Sequence, residues 1–567
     1  MNYICIDFGT CNTVISYIED NILKQIYDDC IGDVLIPTTI YFDSDKFNNE
    51  IIIKDIMPFV DYYIGGTAVE LVNSTKKWEN YFFQFKRFLG ITTKSVELSR
   101  DFLTKYNMEY TTDESMIYFY LNKVKFSICD LIGLFFKALY KKILDIIPNC
   151  INSDNKIPIF LTCPAYFHDL QRSQLKKGVE SVGFIVMKMI NEPTAAAIYY
   201  INNCINNLNK QDNFIESNIT NKYIIYDLGG GTIDTTVVDY FPDSNTCEVI
   251  DIDGNNSLGG IDLDNILTYD IISRYSIEKT PKWINKIKKC AEEIKIKLTI
   301  QTTHTECLEE VPIFSNGNKK FLDLKITYSR QMFNNLVNKL IDQMIEPIQN
   351  MFIKYKTSNI IFIGGPTQIP LLKSKVSTII GKSIETHRET QHQNTQLTQS
   401  ILYKTIVSLG GSILYKKITT KEDFCLLDII PMNIGISSLD NKMIILVNKN
   451  SKIPITIEKT FSTSRDCQRT IDIEIFEGIN ELCTYNTFIG SYKIIGIPPL
   501  PKGQILVKLI IKISSNGLLE LSIGGSRNSS DNNTKSYDYK FDEKIKLISS
   551  STTKELLRKL LLEKKNI

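Results

Sequence analysis

The stretch IIYDLGGGTIDTTVVDY, residues 224–240, decides how this chain reads. An apolar run ends in Asp227, three glycines follow, and threonine, aspartate and β-branched residues resume at once. Glycine weakens a strand, because it loses the most backbone entropy on folding and packs no side chain. The turn at Gly229, Gly230 and Gly231 therefore needs bare backbone. Glycine amides beside an anion donate to phosphate oxygens with no Cβ in the way. A shorter echo, YICIDFGTCNTVISY at residues 3–17, sets Asp7 and a Gly9-Thr10 turn between two apolar runs. Both read as hairpins with an aspartate closing the first strand. The copies lie too far apart for a solenoid repeat. They predict two lobes that face one cleft, with Asp7 and Asp227 holding a hydrated Mg²⁺ between phosphates. One such turn is ordinary turn chemistry; two of them in matching contexts point to a phosphate cradle.

Composition sets the bounds. At 567 residues the chain is too long for one core. Its 65 Lys+Arg against 64 Asp+Glu leave no global field to attract nucleic acid or anionic membrane. The N-terminal MNYICIDFGT reads as a strand, with no secretory signal, and the apolar run at residues 131–147 is broken by Lys137, Lys141 and Lys142. Thirteen cysteines without a C-x-x-C spacing argue for a reducing compartment, and a cytoplasmic location is expected. His387 and His392 are too isolated for a metal site.

Along the chain, IPIFLTCPAYF (157–167) predicts a buried strand stopped by Pro164, followed by a helix from Asp169 and a short strand over 184–187. NEPTAAAIYYI opens a helix, and the asparagine-rich stretch 202–221 reads as a surface loop. A lysine-rich helix surrounds INKIKKCAEEIKIKL, and NIIFIGGPTQIP is a further strand-to-glycine turn. Beyond Lys421 the pattern becomes period-2. Ile471, Ile473 and Ile475 alternate with other residues, as do Ile505, Val507, Leu509, Ile511 and Ile513, which predicts an antiparallel β-sandwich. A polar loop is expected over 526–533, and TTKELLRKLLLEKK near the end predicts a short capped helix.

IDFGTCN, FKRFLG, CPAYFHDLQR, INEPTAAAI, YDLGGGTID, LGGIDLDN, FIGGPTQIP, FCLLDIIP and GIPPLPKG, in this order, resemble the 70-kilodalton heat-shock chaperone family within the actin/hexokinase fold. The resemblance implies a two-lobed actin-like ATPase domain (1–420), a linker (421–430), a β-sandwich peptide-binding domain (431–530), and a polar loop with a short helical remnant of a lid (531–567).

It also implies roles. Lys86 would reach the γ-phosphate and orient the attacking water, with Glu192, Asp227 and Thr232 completing the hydrolytic site. Gly9, Thr10, Cys11, Gly229, Gly230, Gly231, Gly259 and Gly260 would surround the phosphates. Glu292 and Lys295 match the adenosine-contacting helix, and Gly364 and Gly365 the adenine-side turn. Asp7, Asp227 and Asp234 would hold metal. Pro164, Arg172 and Asp428 would relay the nucleotide state to the linker. Ile436, Phe461, Ile471, Ile473 and Val507 match the walls of a groove for extended apolar peptides, with Leu439 and Ser464 arching over it; each apolar residue taken alone is ordinary core. The implied cofactors are ATP or ADP with Mg²⁺, and K⁺ as a further cation. The implied partners are unfolded polypeptide, a J-domain co-chaperone and a nucleotide-exchange factor, with no nucleic acid and no membrane.

Several positions depart from the family pattern. Ile296 and Gln368 stand where arginines usually stack on adenine, which removes a cation–π contribution of about 1–2 kcal/mol. Pro366 replaces a serine, Cys11 a threonine and Ile261 a glutamate, and the family's asparagine-proline-aspartate segment is replaced around 398–401. Nucleotide is therefore expected to bind more weakly and with less preference for adenine. The short C-terminal remnant implies fast peptide release and a holding role. Two functions compete: an ATP-hydrolysing peptide-binding chaperone, and a nucleotide-sensing scaffold of the same fold with little turnover. A sugar kinase would share the hairpins but not the linker and sandwich.

Overall fold

The computed structural model describes residues 3–43, 61–92, 110–112, 116–121, 124–208, 221–315, 318–357, 359–381, 399–495, 497–527 and 538–539. The helix expected near the C-terminus, and both His387 and His392, lie outside them.

Two sheets of related topology form the lobes. In the first, strand β1 (Cys5–Phe8) pairs antiparallel with β2 (Asn12–Glu19) and parallel with β3 (Ile157–Cys163), which pairs parallel with β4 (Phe184–Asn191). In the second, β5 (Lys222–Leu228) pairs antiparallel with β6 (Ile233–Phe241), which pairs antiparallel with β7 (Thr246–Asn255). Strand β8 (Ile360–Ile363) lies parallel to β5 on the other side. Each hairpin therefore sits beside a parallel strand, and its turn comes out at the same end as that strand's C-terminus. In open α/β sheets this edge is where ligands bind.

Four helices matter for the site: α1 (Asp169–Glu180), α2 (Glu192–Leu208), α3 (Pro281–Ile300) and α4 (Gln399–Thr419). Each lobe has its own core, and a third apolar cluster joins them, with Ala195, Ala196 and Ile198 of α2 and Val407, Leu409 and Leu414 of α4 fully or nearly fully buried. The small residues allow a close approach: a Cβ added at Gly410 would lie 1.8 Å from the Ala195 carbonyl oxygen.

Three local expectations change. The strand read over 184–187 continues to Asn191, carried past Lys188 by pairing with Phe160 beyond a register shift. The helix opened by Glu192 runs on to Leu208, into the stretch read as loop. The sandwich strand that begins at Leu519 extends through Arg527, taking in the start of the expected polar loop.

The stretch read as a linker contains a strand, β9 (Cys425–Ile429), which joins the second lobe's sheet parallel to β7. Its other edge takes Lys452 and Ile453, a two-residue strand β10 leading into the sandwich. The sandwich is two antiparallel sheets of four strands. One runs Met443–Val447, Asn433–Ser437, Thr470–Gly478, Thr487–Ile495, and the other Ile455–Ser462, Ile505–Ile513, Leu519–Arg527, Asp538–Tyr539. Alternate residues from Ile505 to Ile513 turn inward, as period-2 burial requires. No described helix is long and apolar enough to cross a membrane.

Candidate functional site

The two hairpin turns face each other across a cleft that is open to solvent. Asp7, Gly9, Thr10 and Cys11 line one wall, and Asp227, Gly229, Gly230, Thr232 and Gly260 the other. The glycine triplet is explained by close approach. A Cβ at Gly230 would lie 2.5 Å from the Cys11 sulfur, and one at Gly231 would lie 3.0 Å from the Thr10 hydroxyl. Gly229 has only ordinary contacts, the nearest at 3.6 Å. Gly364 is constrained twice over: its φ is +86°, and a Cβ there would lie 2.0 Å from the Leu228 carbonyl oxygen.

Lys86 and Glu192 reach the cleft from separate elements and meet in a buried ion pair, Nζ to Oε1 at 2.8 Å. Burial alone would lower the Lys86 ammonium, but the charges and hydrogen bond of Glu192, together with Asp7, outweigh it and hold it above its usual value. Burial pushes the Asp7 carboxyl up to about 7, reinforced by Glu192 and opposed by Lys86 and by the Thr162 hydroxyl, which donates to it at 2.7 Å. Asp227 is raised by burial and by the neighbouring Glu192, Asp234 and Asp7. Four carboxylates line the cleft, Asp7, Glu192, Asp227 and Glu292, against the three ammonium groups of Lys86, Lys295 and Lys404, an excess that a divalent ion would offset.

The adenosine-side residues also converge. Lys295 pairs with Asp264 at 2.7 Å and donates to the Gly260 carbonyl at 3.3 Å. Glu292, Gly364 and Gly365 line the same cleft. Burial, with the charge of Glu292, pushes the Cys11 thiol up to about 12, so it stays protonated.

Three expected site residues stand directly beside lining residues, Gly231 next to Thr10, Gly259 next to Gly230 and Asp234 paired with Asp227. Gly231, Gly259 and Asp234 are not among the cleft-lining residues. Gly259 packs on Gly230, where an added Cβ would fall 2.6 Å from its carbonyl oxygen. Asp234 is buried, pushed up to about 7 mainly by burial, and one of its oxygens accepts the Tyr166 amide at 2.8 Å. Among the described residues no three His, Cys, Asp or Glu side chains form a direct metal cage. A set of scattered carboxylates facing a phosphate-sized space fits Mg²⁺ held through water and phosphate oxygens, and not a protein-only cage.

The relay positions are contiguous. The Arg172 guanidinium donates to the Phe167, Pro164 and Ala165 carbonyls and to Asn191 Oδ1, the last at 2.7 Å. Asn191 Nδ2 in turn donates to both carboxylate oxygens of Asp428, each at 3.0 Å. Asn191 was quoted in a motif but given no role in the sequence reading; the available signal was its place immediately before Glu192 at a strand end. Tyr403 and Lys404 of α4 line the cleft as well. No pattern marked them, because they follow the stretch where the family motif is lost.

In the sandwich, Ile436, Ile473 and Val507 belong to the buried core, and Phe461 and Ile471 pack against it partly buried. Ser464 is exposed. Leu439 is 98% exposed and so packs on nothing.

The family model described as Hsp70 protein matches residues 3–555. The chain is 28% identical over 528 residues to the chaperone protein DnaK of Ureaplasma urealyticum, covering 91% of this chain and 75% of that one. It is 27% identical over 537 residues to heat shock protein hsp-6 of Caenorhabditis elegans, covering 91% and 73%. A third relative, the chaperone protein DnaK of Methanothermobacter thermautotrophicus, is 28% identical over 377 residues, covering 64% of this chain and 58% of that one. With opposed glycine hairpins, a docked strand between lobes and sandwich, and a family match along nearly its whole length, this chain belongs to the Hsp70 family.

Proposed function

We propose that the protein is an ATP-dependent chaperone in which cleavage of a triphosphate between the lobes changes the affinity of the sandwich for extended apolar polypeptide. The observation that carries this reading is the unbroken path from cleft to linker: Lys86 to Glu192, the adjacent Asn191, and from Asn191 to Asp428 in β9. The names of these relatives, chaperone protein and heat shock protein, support it.

The chain's own residues have separable tasks. Glycine-turn amides and Thr10 would hold the β- and γ-phosphates, and Thr232 would hydrogen-bond the transferred group. Lys86, fixed by Glu192, would neutralise developing charge and orient the attacking water. Mg²⁺, when bound, would neutralise the phosphates beside Asp7 and Asp227; K⁺ is a further candidate cation. Glu292 and Lys295 would hold the ribose. The boundaries follow the same scheme, with lobes over 1–420, linker over 421–430 and sandwich over 431–530.

The docked β9 and the outward Leu439 correspond to an arrangement in which peptide enters and leaves readily. Cleavage would release β9 and let Leu439 and Ser464 close over peptide lying on Ile436, Phe461, Ile471, Ile473 and Val507. Each ligand must then differ in affinity between the two arrangements, and the coupling is reciprocal. A J-domain protein and an exchange factor would set the rates of the cycle.

The test is single-turnover hydrolysis. The reading expects turnover by the wild type and none in Thr232→Ala. Tight binding without turnover in the wild type favours the scaffold alternative.

A further inference from the structure

A second group of cleft-lining residues comes from three elements: Ile296 and Thr299 of α3, Pro366 and Gln368 after the Gly364–Gly365 turn, and Tyr403 and Lys404 in the first two turns of α4. Their hydrogen-bonding capacity is unequal. Gln368 is committed, since its Oε1 accepts from Lys373 at 2.7 Å and its Nε2 donates to Thr367 at 3.2 Å. The Thr299 hydroxyl donates to the Ile296 carbonyl at 2.7 Å, which leaves it able only to accept. Lys404 carries the only charge among the six, and its ammonium lies 5.8 Å from the Tyr403 ring centroid.

Both α4 residues are held against the glycine turn. The Tyr403 carbonyl accepts the Gly364 amide at 3.0 Å, and the Lys404 stem lies 3.7 Å from where a Gly365 Cβ would stand. Ile296 of α3, another lining residue, is an apolar side chain 45% exposed. A flat ring packs favourably on aliphatic and aromatic side chains, and a nearby ammonium rewards ring acceptors. Guanine and hypoxanthine present two adjacent acceptors, O6 and N7, which lysine recognises. Adenine presents N7 beside an amino donor that an ammonium repels.

We infer that Tyr403 and Lys404 form the base platform of this cleft, and that Lys404 biases it toward purine nucleotides with an oxo group at position 6. The inference rests on the nucleotide reading above. It makes the cleft tolerant of the base and assigns selectivity to α4, where the sequence had shown only a loss of adenine contacts.

Calorimetry on the full chain with Mg²⁺ and four probes, ATP, GTP, ITP and inorganic tripolyphosphate, tests it. GTP and ITP should bind at least as tightly as ATP. Lys404→Met should weaken GTP and ITP about tenfold and ATP less than threefold. Tyr403→Leu should weaken all three about fivefold, and neither variant should change tripolyphosphate binding by more than twofold. ATP binding more than tenfold tighter than GTP and ITP overturns the inference, as does insensitivity of all nucleotides to both variants while tripolyphosphate still binds. If tripolyphosphate and every nucleotide fail to bind, the phosphate-cleft reading falls, and the base platform falls with it.

Discussion

Asp169 and Glu477 hold each other's domains by reciprocal use of backbone. Asp169, first residue of α1, accepts the Leu519 amide of the sandwich at 2.7 Å, while its own amide donates to Glu477 of the sandwich at 3.2 Å. A half-buried carboxylate, Asp169, thus faces a buried one, Glu477, across the interface between lobe and sandwich. Arg172 lies alongside; His168, whose Nδ1 has no partner among the described residues, precedes Asp169, and Tyr492 approaches from the sandwich.

Docking should therefore depend on pH. Burial pushes Asp169 up to about 6 and Glu477 up to about 8, the latter reinforced by the Asp169 charge and opposed by Arg172 and the Asp169 amide. Undocked, both would titrate near about 4, the ordinary carboxylate range. The docked state therefore binds more protons, and docking weakens as pH rises from the undocked values through the docked ones. Between pH 6 and pH 8 the linker should become more accessible to protease. Glu477→Gln keeps an acceptor for the Asp169 amide and removes the second charge, so it should dock more firmly and flatten that dependence. An unchanged pH profile in Glu477→Gln contradicts the assignment.

Removing Lys86 should be costly twice. Lys86→Ala leaves Glu192 as a buried unpaired carboxylate, a loss of about 3–5 kcal/mol by comparison with other broken buried pairs. It also removes the cation at the phosphates. Single-turnover hydrolysis should fall at least about a hundredfold, the scale of losing one electrostatic donor. Chemical denaturation should show the stability loss even without nucleotide.

The close approach of the hairpins gives a double-mutant test. Gly230→Ala would drive a methyl to 2.5 Å from the Cys11 sulfur and should destabilise the closed lobes by about 1–3 kcal/mol. Cys11→Ala removes that sulfur and leaves the Cys11 Cβ, 3.7 Å from the added methyl. The pair should be more stable than Gly230→Ala alone, with a coupling of about 1 kcal/mol or more in thermal unfolding. Additive losses would place the clash elsewhere.

How much of this was legible follows from the range of each interaction. The hairpins were readable because Asp227, the glycines and the β-branched run are contiguous, and their chemistry is local. The strand β9 was not. Five half-apolar residues carry no signal for a partner, and theirs is Thr246–Glu248, far away in sequence. Its role as a connector was readable, its place in the sheet was not. Asp234 and Asp227 flank the same turn and pair across the hairpin, and the amide that Tyr166 gives to one Asp234 oxygen comes from far away in sequence, so no local pattern announced it. Glu477 carried no signal in sequence, because the residue it meets, Asp169, lies far away in the chain.

Asn191 should separate binding from signalling. It contacts Arg172 and Asp428 through opposite ends of one amide. Asn191→Ala should leave nucleotide affinity within about threefold while reducing any nucleotide effect on peptide affinity to near zero. Equal loss of nucleotide binding would show that Asn191 only supports Glu192.

The most direct measurement is hydrogen exchange of the β9 amides, residues 425–429, with Mg²⁺ and either a slowly hydrolysed triphosphate or the diphosphate. Strong protection with triphosphate and release with diphosphate, abolished in Asn191→Ala, is the predicted result. Equal protection with both nucleotides would contradict coupling between the cleft and the sandwich.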